Sequence, residues 1–428
     1  MPKFERHLSA ACDKKSTGNA CPKERPTMIT LDETTVAPPR ALFGRLELQP
    51  SDSLLALIGL YAADPRASKI DLGVGVYKDE AGHTPVFAAV KAAEAKLLAE
   101  QPTKAYVGPE GDIGFFEGLA PIVFGDAAPR ARLAGLQTPG GTGALRLGAE
   151  LIARNNPDAV IHVGGPTWPN HAPIFAAARL ALRQHRHIDL TTQELCFDDV
   201  LAALQTAVPG DVVLLHGCCH NPTGADFTAD QWEALGALMA KRGLLPFIDL
   251  AYQGLGASMD EDAEGVRIVA RHCPEMLVAY SCDKNFGLYR ERVGALFILA
   301  AEPEAAAVVQ SNLLSLARAN WSMPPDHGAA VVRLILESAE LRAQWLAELD
   351  EVRARIAAMR AGLAALDPAL AFIGRQKGMF STLPLSPDQV KAMRERYAIY
   401  MAGSGRINIA GLTPAKLAPL AAAFAAVR

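Results

Sequence analysis

From Leu72 onward the chain alternates short apolar runs with longer stretches whose apolar positions recur every three or four residues. Short continuous runs have the length of buried strands, and the longer stretches carry the period of helices buried along one face. Val160–Val163, Val212–His216, Leu245–Leu250, Met276–Ser281 and Ala295–Leu299 are the candidate strands. Strand and helix patterns in alternation predict an α/β fold with a mostly parallel central sheet flanked by helices. Helix ends are legible as well. Thr228-Ala-Asp-Gln231 has the form of a capping box, Trp232, Leu235 and Met239 follow on one face, and Gly243 stops the helix. A long helix is predicted over Leu341–Leu366, with Trp345, Leu349, Val352, Ile356, Met359, Leu363 and Leu366 along one seam. Such a helix suits a connector between two lobes. Thr413 as N-cap and Pro414 at the first helical position open an Ala-rich closing helix.

With 428 residues the chain can build a large core and more than one lobe. Half its residues are apolar, and none of its apolar runs approaches the roughly 18 residues of a bilayer span. The formal net charge is −4, no Lys/Arg block is present and aromatic residues make up only 6%. Neither a nucleic-acid face nor a membrane face is indicated. Residues 1–40 lack strand or helix periodicity and an apolar signal segment, and are expected to form a disordered N-terminal tail. The seven cysteines are scattered without a CxxC pair, which favours a reducing compartment, the cytoplasm being the simplest choice. Cys218 and Cys219 lie between His216 and His220, but adjacent cysteines in an apolar run read better as small buried hydrophobes than as metal ligands. No metal site is expected.

The chemistry concentrates where strands end. Ser281-Cys-Asp-Lys284-Asn-Phe-Gly-Leu-Tyr-Arg-Glu-Arg292-Val-Gly follows one apolar run directly. It reads either as a solvated charged loop or as a desolvated, Schiff-base-forming Lys284 with Arg292 available to a phosphate. Thr138-Pro-Gly140-Gly141-Thr142-Gly143 precedes a helix and fits no nucleotide fingerprint. It suits an anion at a helix N-terminus, or Thr142 simply caps the helix. His220-Asn221-Pro-Thr-Gly224 is a turn on its face. Asp249, in Ile248-Asp249-Leu-Ala-Tyr252, closes an apolar strand and needs either a cationic partner or a turn to cap.

Together and in this order, these segments resemble the class I aminotransferases of the aspartate and aromatic amino-acid branch, over residues 41 to 428. The resemblance implies a pyridoxal-phosphate-dependent transferase of fold type I. Its large domain would span 85–335, and a smaller α/β domain would combine 41–84 with 336–428. Lys284 is similar to the lysine that joins the cofactor and then moves the proton. Asp249 resembles the partner of the pyridine nitrogen, Tyr252 and Asn221 the partners of the phenolic oxygen, and Trp168 in Gly-Pro-Thr-Trp168-Pro-Asn-His171 the aromatic residue stacked on the ring. Gly141, Thr142, Ser281 and Arg292 resemble the phosphate cup, which Tyr106 reaches from the second subunit of a homodimer. Arg406 in Gly-Ser-Gly-Arg-Ile-Asn resembles the arginine on the substrate α-carboxylate, with Gly75 and Phe380 beside it. Arg318 resembles the one that crosses the dimer interface to a distal carboxylate. His171 and His216 match positions beneath the cofactor, or are satisfied core histidines.

Two departures stand out. Asp283 occupies a position where a phosphate-contacting serine is common, and is expected to turn away or to pair with a local cation. Met323 stands where aspartate-preferring relatives often carry asparagine, and Ala105 replaces a larger polar residue; both lean toward a roomier, more apolar pocket. The implied reaction moves an amino group from an aromatic L-amino acid to 2-oxoglutarate, giving the aryl keto acid and L-glutamate. Transamination of L-aspartate to oxaloacetate is the alternative. A lyase or decarboxylase fits two substrate arginines poorly, and a non-catalytic module would not retain both Lys284 and Asp249.

Overall fold

The long apolar runs become the middle of one seven-stranded sheet in the unit Ser51–Arg428. The computed structural model describes residues 43–44, 46–49 and 53–428, and the tail expected over residues 1–40 lies outside them. The sheet comprises β1 (Leu133–Pro139), β2 (Val160–Gly165), β3 (Ala181–Arg186), β4 (Val212–His216), β5 (Leu245–Leu250), β6 (Met276–Ser281) and β7 (Val293–Leu299). Their spatial order is β1-β7-β6-β5-β4-β2-β3. β6, β5, β4, β2 and β3 run parallel, and β7 is antiparallel to both of its neighbours. The expected mostly parallel α/β architecture is what forms.

Strands β4, β6 and β7 are buried at every position. Helices cover both faces of a parallel sheet, so its central strands are apolar throughout rather than alternating. Each large apolar side chain removed from water there contributes roughly 1.5–3 kcal/mol. β3 lies at the edge and reads Ala-Leu-Arg-Gln-His-Arg, largely exposed. Its charges discourage pairing with another chain, which is why no apolar run announces it. β1, at the other edge, mixes glycine and polar residues, and Gly135 N–H donates to Gln310 of the adjoining helix at 2.8 Å.

From β2 the chain moves outward to β3 and then returns to β4 on the other side of β2. The connections leaving β2 and β4 therefore diverge and open a crevice at the carboxyl ends of the strands. Open α/β sheets take their ligands at such switch points.

Helix Ala229–Arg242 begins with the expected capping box, Thr228 accepting from Gln231 N–H and Gln231 from Thr228 N–H, and it ends at Gly243 with φ 65°. The long helix runs Ala339–Ala364, earlier than expected, because Ser338 caps it by accepting from Leu341 N–H. Leu366 consequently falls beyond the helix and is 48% exposed rather than on the seam. Thr413 precedes the closing helix Pro414–Val427, but its side chain makes no capping hydrogen bond.

Residues near the two ends of the unit pair with each other. Ile70–Asp71 lies parallel to Ile399–Tyr400, and Phe380–Thr382 pairs antiparallel with Arg406–Asn408. Arg360, buried on the long helix, organises this region. Its guanidinium donates to the carbonyls of Ile373, Lys377, Gly378 and Phe380 and to Ser381 Oγ. Replacing it by an apolar side chain of similar length would leave several buried carbonyl groups without donors. Arg360→Met is expected to lower the unfolding free energy by about 3 kcal/mol, read from the midpoint of guanidinium denaturation.

Candidate active site

Register brings the chemistry-bearing residues level with one another. His216 at the end of β4 pairs with Asp249 on β5, and Ser281 at the end of β6 pairs with Gly294 on β7. The crevice beyond these ends holds about 260 Å³. Its walls include Gly75, Gly141, Thr142, Trp168, Asn221, Asp249, Tyr252, Ser281, Lys284, Arg292, Phe380 and Arg406. Residues distant in sequence thus converge on a single cleft.

Asp249 forms its floor. The carboxylate is 6% exposed, and Oδ2 lies 3.1 Å from His171 Nε2. A carboxylate can only accept, so His171 donates from Nε2, and its Nδ1 lies 2.8 Å from Thr167 Oγ1. The same Thr167 oxygen lies 3.0 Å from His216 Nε2, so one hydroxyl links the two imidazole rings. Burial pushes the Asp249 carboxyl up, but the His171 hydrogen bond and nearby positive charge outweigh it and hold the group below its usual range. Burial drives His216 down to about 3, so its imidazole stays neutral. A charged carboxylate therefore faces the cleft, supported from behind by two histidines and a threonine.

Lys284 enters on the loop after β6. Trp345 of the long helix stacks on Phe286 with ring centroids 4.2 Å apart and donates from Nε1 to Asn285 O at 2.8 Å. The residues after Lys284 are thereby anchored. Its ammonium lies 5.4 Å from the Tyr252 ring centroid and 3.9 Å from Asp283 Oδ2. Desolvation lowers its pKa below the usual lysine range, although Asp283 and Asp249 pull the other way. Burial, with Asp249 nearby, pushes the Tyr252 hydroxyl up. That hydroxyl accepts from Asn221 Nδ2 at 3.3 Å, and buried Asn221 Oδ1 has no hydrogen-bond partner among the described residues.

The cup for an anion is made by the first turn of helix Gly140–Asn155. That turn has no side-chain cap, and Thr142 lies inside the helix, which removes the reading of Thr142 as its N-cap. Gly140 has φ 68°, and a Cβ there would come within 2.6 Å of Arg292 Nη2, so backbone and guanidinium share one small space. Free backbone N–H groups at a helix N-terminus favour an anion. This donor set, with Ser281 and Arg292, fits a phosphate, while Asp249 fits a protonated ring nitrogen and Trp168 a planar ring.

Arg406 completes the far wall. It donates to Gly73 O at 2.9 Å, and its guanidinium carbon stands 4.6 Å from the Phe380 ring centroid. Asn408 Nδ2 donates to the carbonyls of Val74 and Val76, holding the Gly75 loop beside Phe380. A Cβ on Gly75 would meet Phe380 at 2.8 Å.

Tyr106 and Arg318 do not reach this cleft within the chain. Tyr106 is 92% exposed, and Arg318 is exposed and bonded to Ser322. Met323 and Ala105 share a separate groove of about 500 Å³. Tyr289, which sequence reasoning did not single out, lines the cleft and accepts from Tyr77 N–H through its hydroxyl at 3.1 Å. Its place inside the Lys284–Arg292 loop was the available signal. Asp283, expected to turn away or pair locally, pairs with Arg292 itself and stays in the cup wall. Cys218 and Cys219 approach Asp262, whose oxygens already accept from the N–H groups of Gly254, Gly256 and Ala257.

Residues 67–424 match the family described as aminotransferase class I and II. The chain belongs to this family. Among proteins similar to this aminotransferase is the tyrosine aminotransferase of Rhizobium meliloti (strain 1021), 52% identical over 387 residues, covering 90% of this chain and 99% of that protein. The aspartate aminotransferase of Escherichia coli (strain K12) is 44% identical, covering 90% of this chain and all of that protein. A solved aromatic-amino-acid aminotransferase from Burkholderia pseudomallei, described as covalently bound to pyridoxal phosphate, superposes with a TM-score of 0.88. It is 40% identical and covers 91% of this chain and 100% of that one. Among the described residues of this aminotransferase, no helix is long and apolar enough to cross a membrane.

Because burial disfavours the ammonium, the neutral amine of Lys284 forms at lower pH than an ordinary lysine, whose value is about 10.4. In cofactor-free protein, competitive acetylation followed across pH by mass spectrometry is expected to show residue 284 becoming reactive before the exposed lysines.

Proposed function

We propose that this aminotransferase carries pyridoxal phosphate on Lys284 and transfers the amino group of an aromatic L-amino acid to 2-oxoglutarate. The observation that carries the reading is the meeting in one cleft of an amine with lowered pKa, a supported carboxylate, an anion cup and Arg406. When bound, the cofactor supplies an electron sink for the bonds at the substrate Cα.

The chain's own groups divide the remaining work. Gly141, Thr142, Ser281 and Arg292 hold the phosphate, and Trp168 packs on the ring. Asp249 keeps the ring nitrogen charged, while Asn221 and Tyr252 donate to the ring oxygen. Lys284 is placed to take the proton from the substrate Cα and would return it to the cofactor carbon two bonds away, across the intervening nitrogen. Its lowered pKa favours the free base needed for the first of these steps. Arg406 grips the α-carboxylate as a planar fork, with Gly75 and Phe380 fixing the side from which substrate enters.

Tyr106 and Arg318 are exposed in one chain, so we assign them a role across the two-fold interface of a homodimer. There the partner subunit's Tyr106 would meet the phosphate and the partner subunit's Arg318 the distal carboxylate of 2-oxoglutarate. Met323 and Ala105 line a groove of the same chain and would enter the site by the same route, as apolar neighbours for an aromatic ring. The named activities of similar proteins support both aromatic and aspartate donors, with the 52% identical relative named for tyrosine. Residues 41–84 and 336–428, which carry Gly75 and Arg406, are proposed as a smaller domain that closes over substrate. Five free cysteines among the described residues suit a reducing, cytoplasmic setting.

Steady-state assays with 2-oxoglutarate as acceptor test the reading. Phenylalanine and tyrosine are expected to give keto acid and glutamate at higher kcat/KM than aspartate. Turnover of aspartate alone would remove the aromatic assignment, and release of carbon dioxide would remove transamination. Lys284→Ala is expected to lower kcat by about 10²–10⁴-fold or more, whereas Arg406→Lys is expected chiefly to raise KM.

A further inference from the structure

The phosphate cup contains a carboxylate of its own. Asp283 is 1% exposed and lines the cleft beside Gly141, Thr142 and Ser281. Oδ2 accepts a hydrogen bond from Arg292 Nη1 and lies 3.9 Å from Lys284 Nζ, while Oδ1 accepts from Val293 N–H at 3.1 Å. The same Oδ2 would be 3.2 Å from a Cβ on Gly140, where Arg292 Nη2 also lies. One buried carboxylate is thus bonded to the guanidinium that the phosphate reading requires, close to the helix N-terminus that would share the anion. Arg292 has φ 54°, a left-handed conformation that a residue other than glycine adopts only when its surroundings hold it. In that conformation its Nη1 donates to Asp283 and to Tyr289 O, the latter at 3.1 Å.

We propose that Asp283 is a resident counter-ion that stands in for the cofactor phosphate, keeping Arg292 in place without it and competing with it for the same guanidinium. This rests on the reading that the cup receives pyridoxal phosphate. Two like-charged groups served by one arginine repel, and in a partly dry cup that repulsion is weakly screened. The carboxylate therefore sets how tightly the phosphate is held. It also makes the protein less dependent on the cofactor for its own stability, since the guanidinium is never without a partner. Both effects come from one pair, and they have opposite signs when the carboxylate is removed.

The test compares the full-length protein, stripped of cofactor, with Asp283→Asn and Asp283→Ser. Asn keeps an acceptor for Val293 N–H, and Ser restores the residue common at this position. Dissociation constants for pyridoxal phosphate and for pyridoxal, which has no phosphate, are measured by absorbance titration, alongside thermal midpoints without cofactor. Both variants are expected to bind pyridoxal phosphate at least about tenfold more tightly, with pyridoxal affinity unchanged, and to melt at lower temperature when cofactor-free. Unchanged or weaker pyridoxal phosphate binding, an equal shift for pyridoxal, or an undiminished midpoint would each overturn the proposal alone. If the wild-type protein fails to bind pyridoxal phosphate, or binds it equally well after Lys284→Ala, the functional reading beneath it falls as well.

Discussion

A carboxylate at the end of a buried strand stays charged only if something compensates for lost water, and in this chain that is the Asp249–His171 hydrogen bond. Asp249 lies near the end of β5 with 6% exposure, and His171 reaches it from the start of the helix His171–Ala177 that follows β2. The hydrogen-bond chain through Thr167 to His216 requires the ends of β2 and β4 to lie side by side, which the reversal of strand order provides. A negative charge with fixed position then defines what the cleft accepts opposite it. The lowered pKa of Lys284 has the same origin, because the burial that threatens the carboxylate also disfavours the ammonium. Sheet topology, hydrogen bonding and reactivity are one argument at this point.

The outer parts of the molecule serve this arrangement at a distance. Trp345 fixes the loop after Lys284 from a helix that begins more than fifty residues later in the chain. Arg360, on the same helix, gathers the carbonyls of the segment that ends in Phe380. Asn408 ties the Gly75 loop to the strand that carries Arg406. A single long helix and one short strand pair thus position the lysine and the wall that carries Arg406 together.

Much of this was legible in the amino-acid sequence because it rests on local signals. Continuous apolar runs marked β4, β5 and β6, and Thr228, Gln231 and Gly243 marked both ends of one helix. The edge strand β3 was not legible because most of its side chains are exposed, and β1 was not because glycine and polar residues interrupt its apolar run although it is buried. Leu366 was assigned to a seam by spacing alone, whereas a serine cap shifted the whole helix toward its N-terminus. The residues expected around Lys284 do come together, apart from Tyr106 and Arg318, which a single chain leaves exposed. Asp283 shows where local reading stops. Its charge was plain, but its partner depended on a left-handed Arg292 folding back across nine residues, which no periodicity records.

The central claim is that residue 284, and no other lysine, presents a free amine to an aldehyde held in this cleft. Borohydride reduction of the full-length protein mixed with pyridoxal phosphate, followed by peptide mapping, measures it directly. The account expects the pyridoxyl mass on the peptide containing Lys284, and its loss from that peptide in Asp249→Ala at limiting cofactor. Stoichiometric label on a different lysine, with residue 284 unmodified, would contradict it.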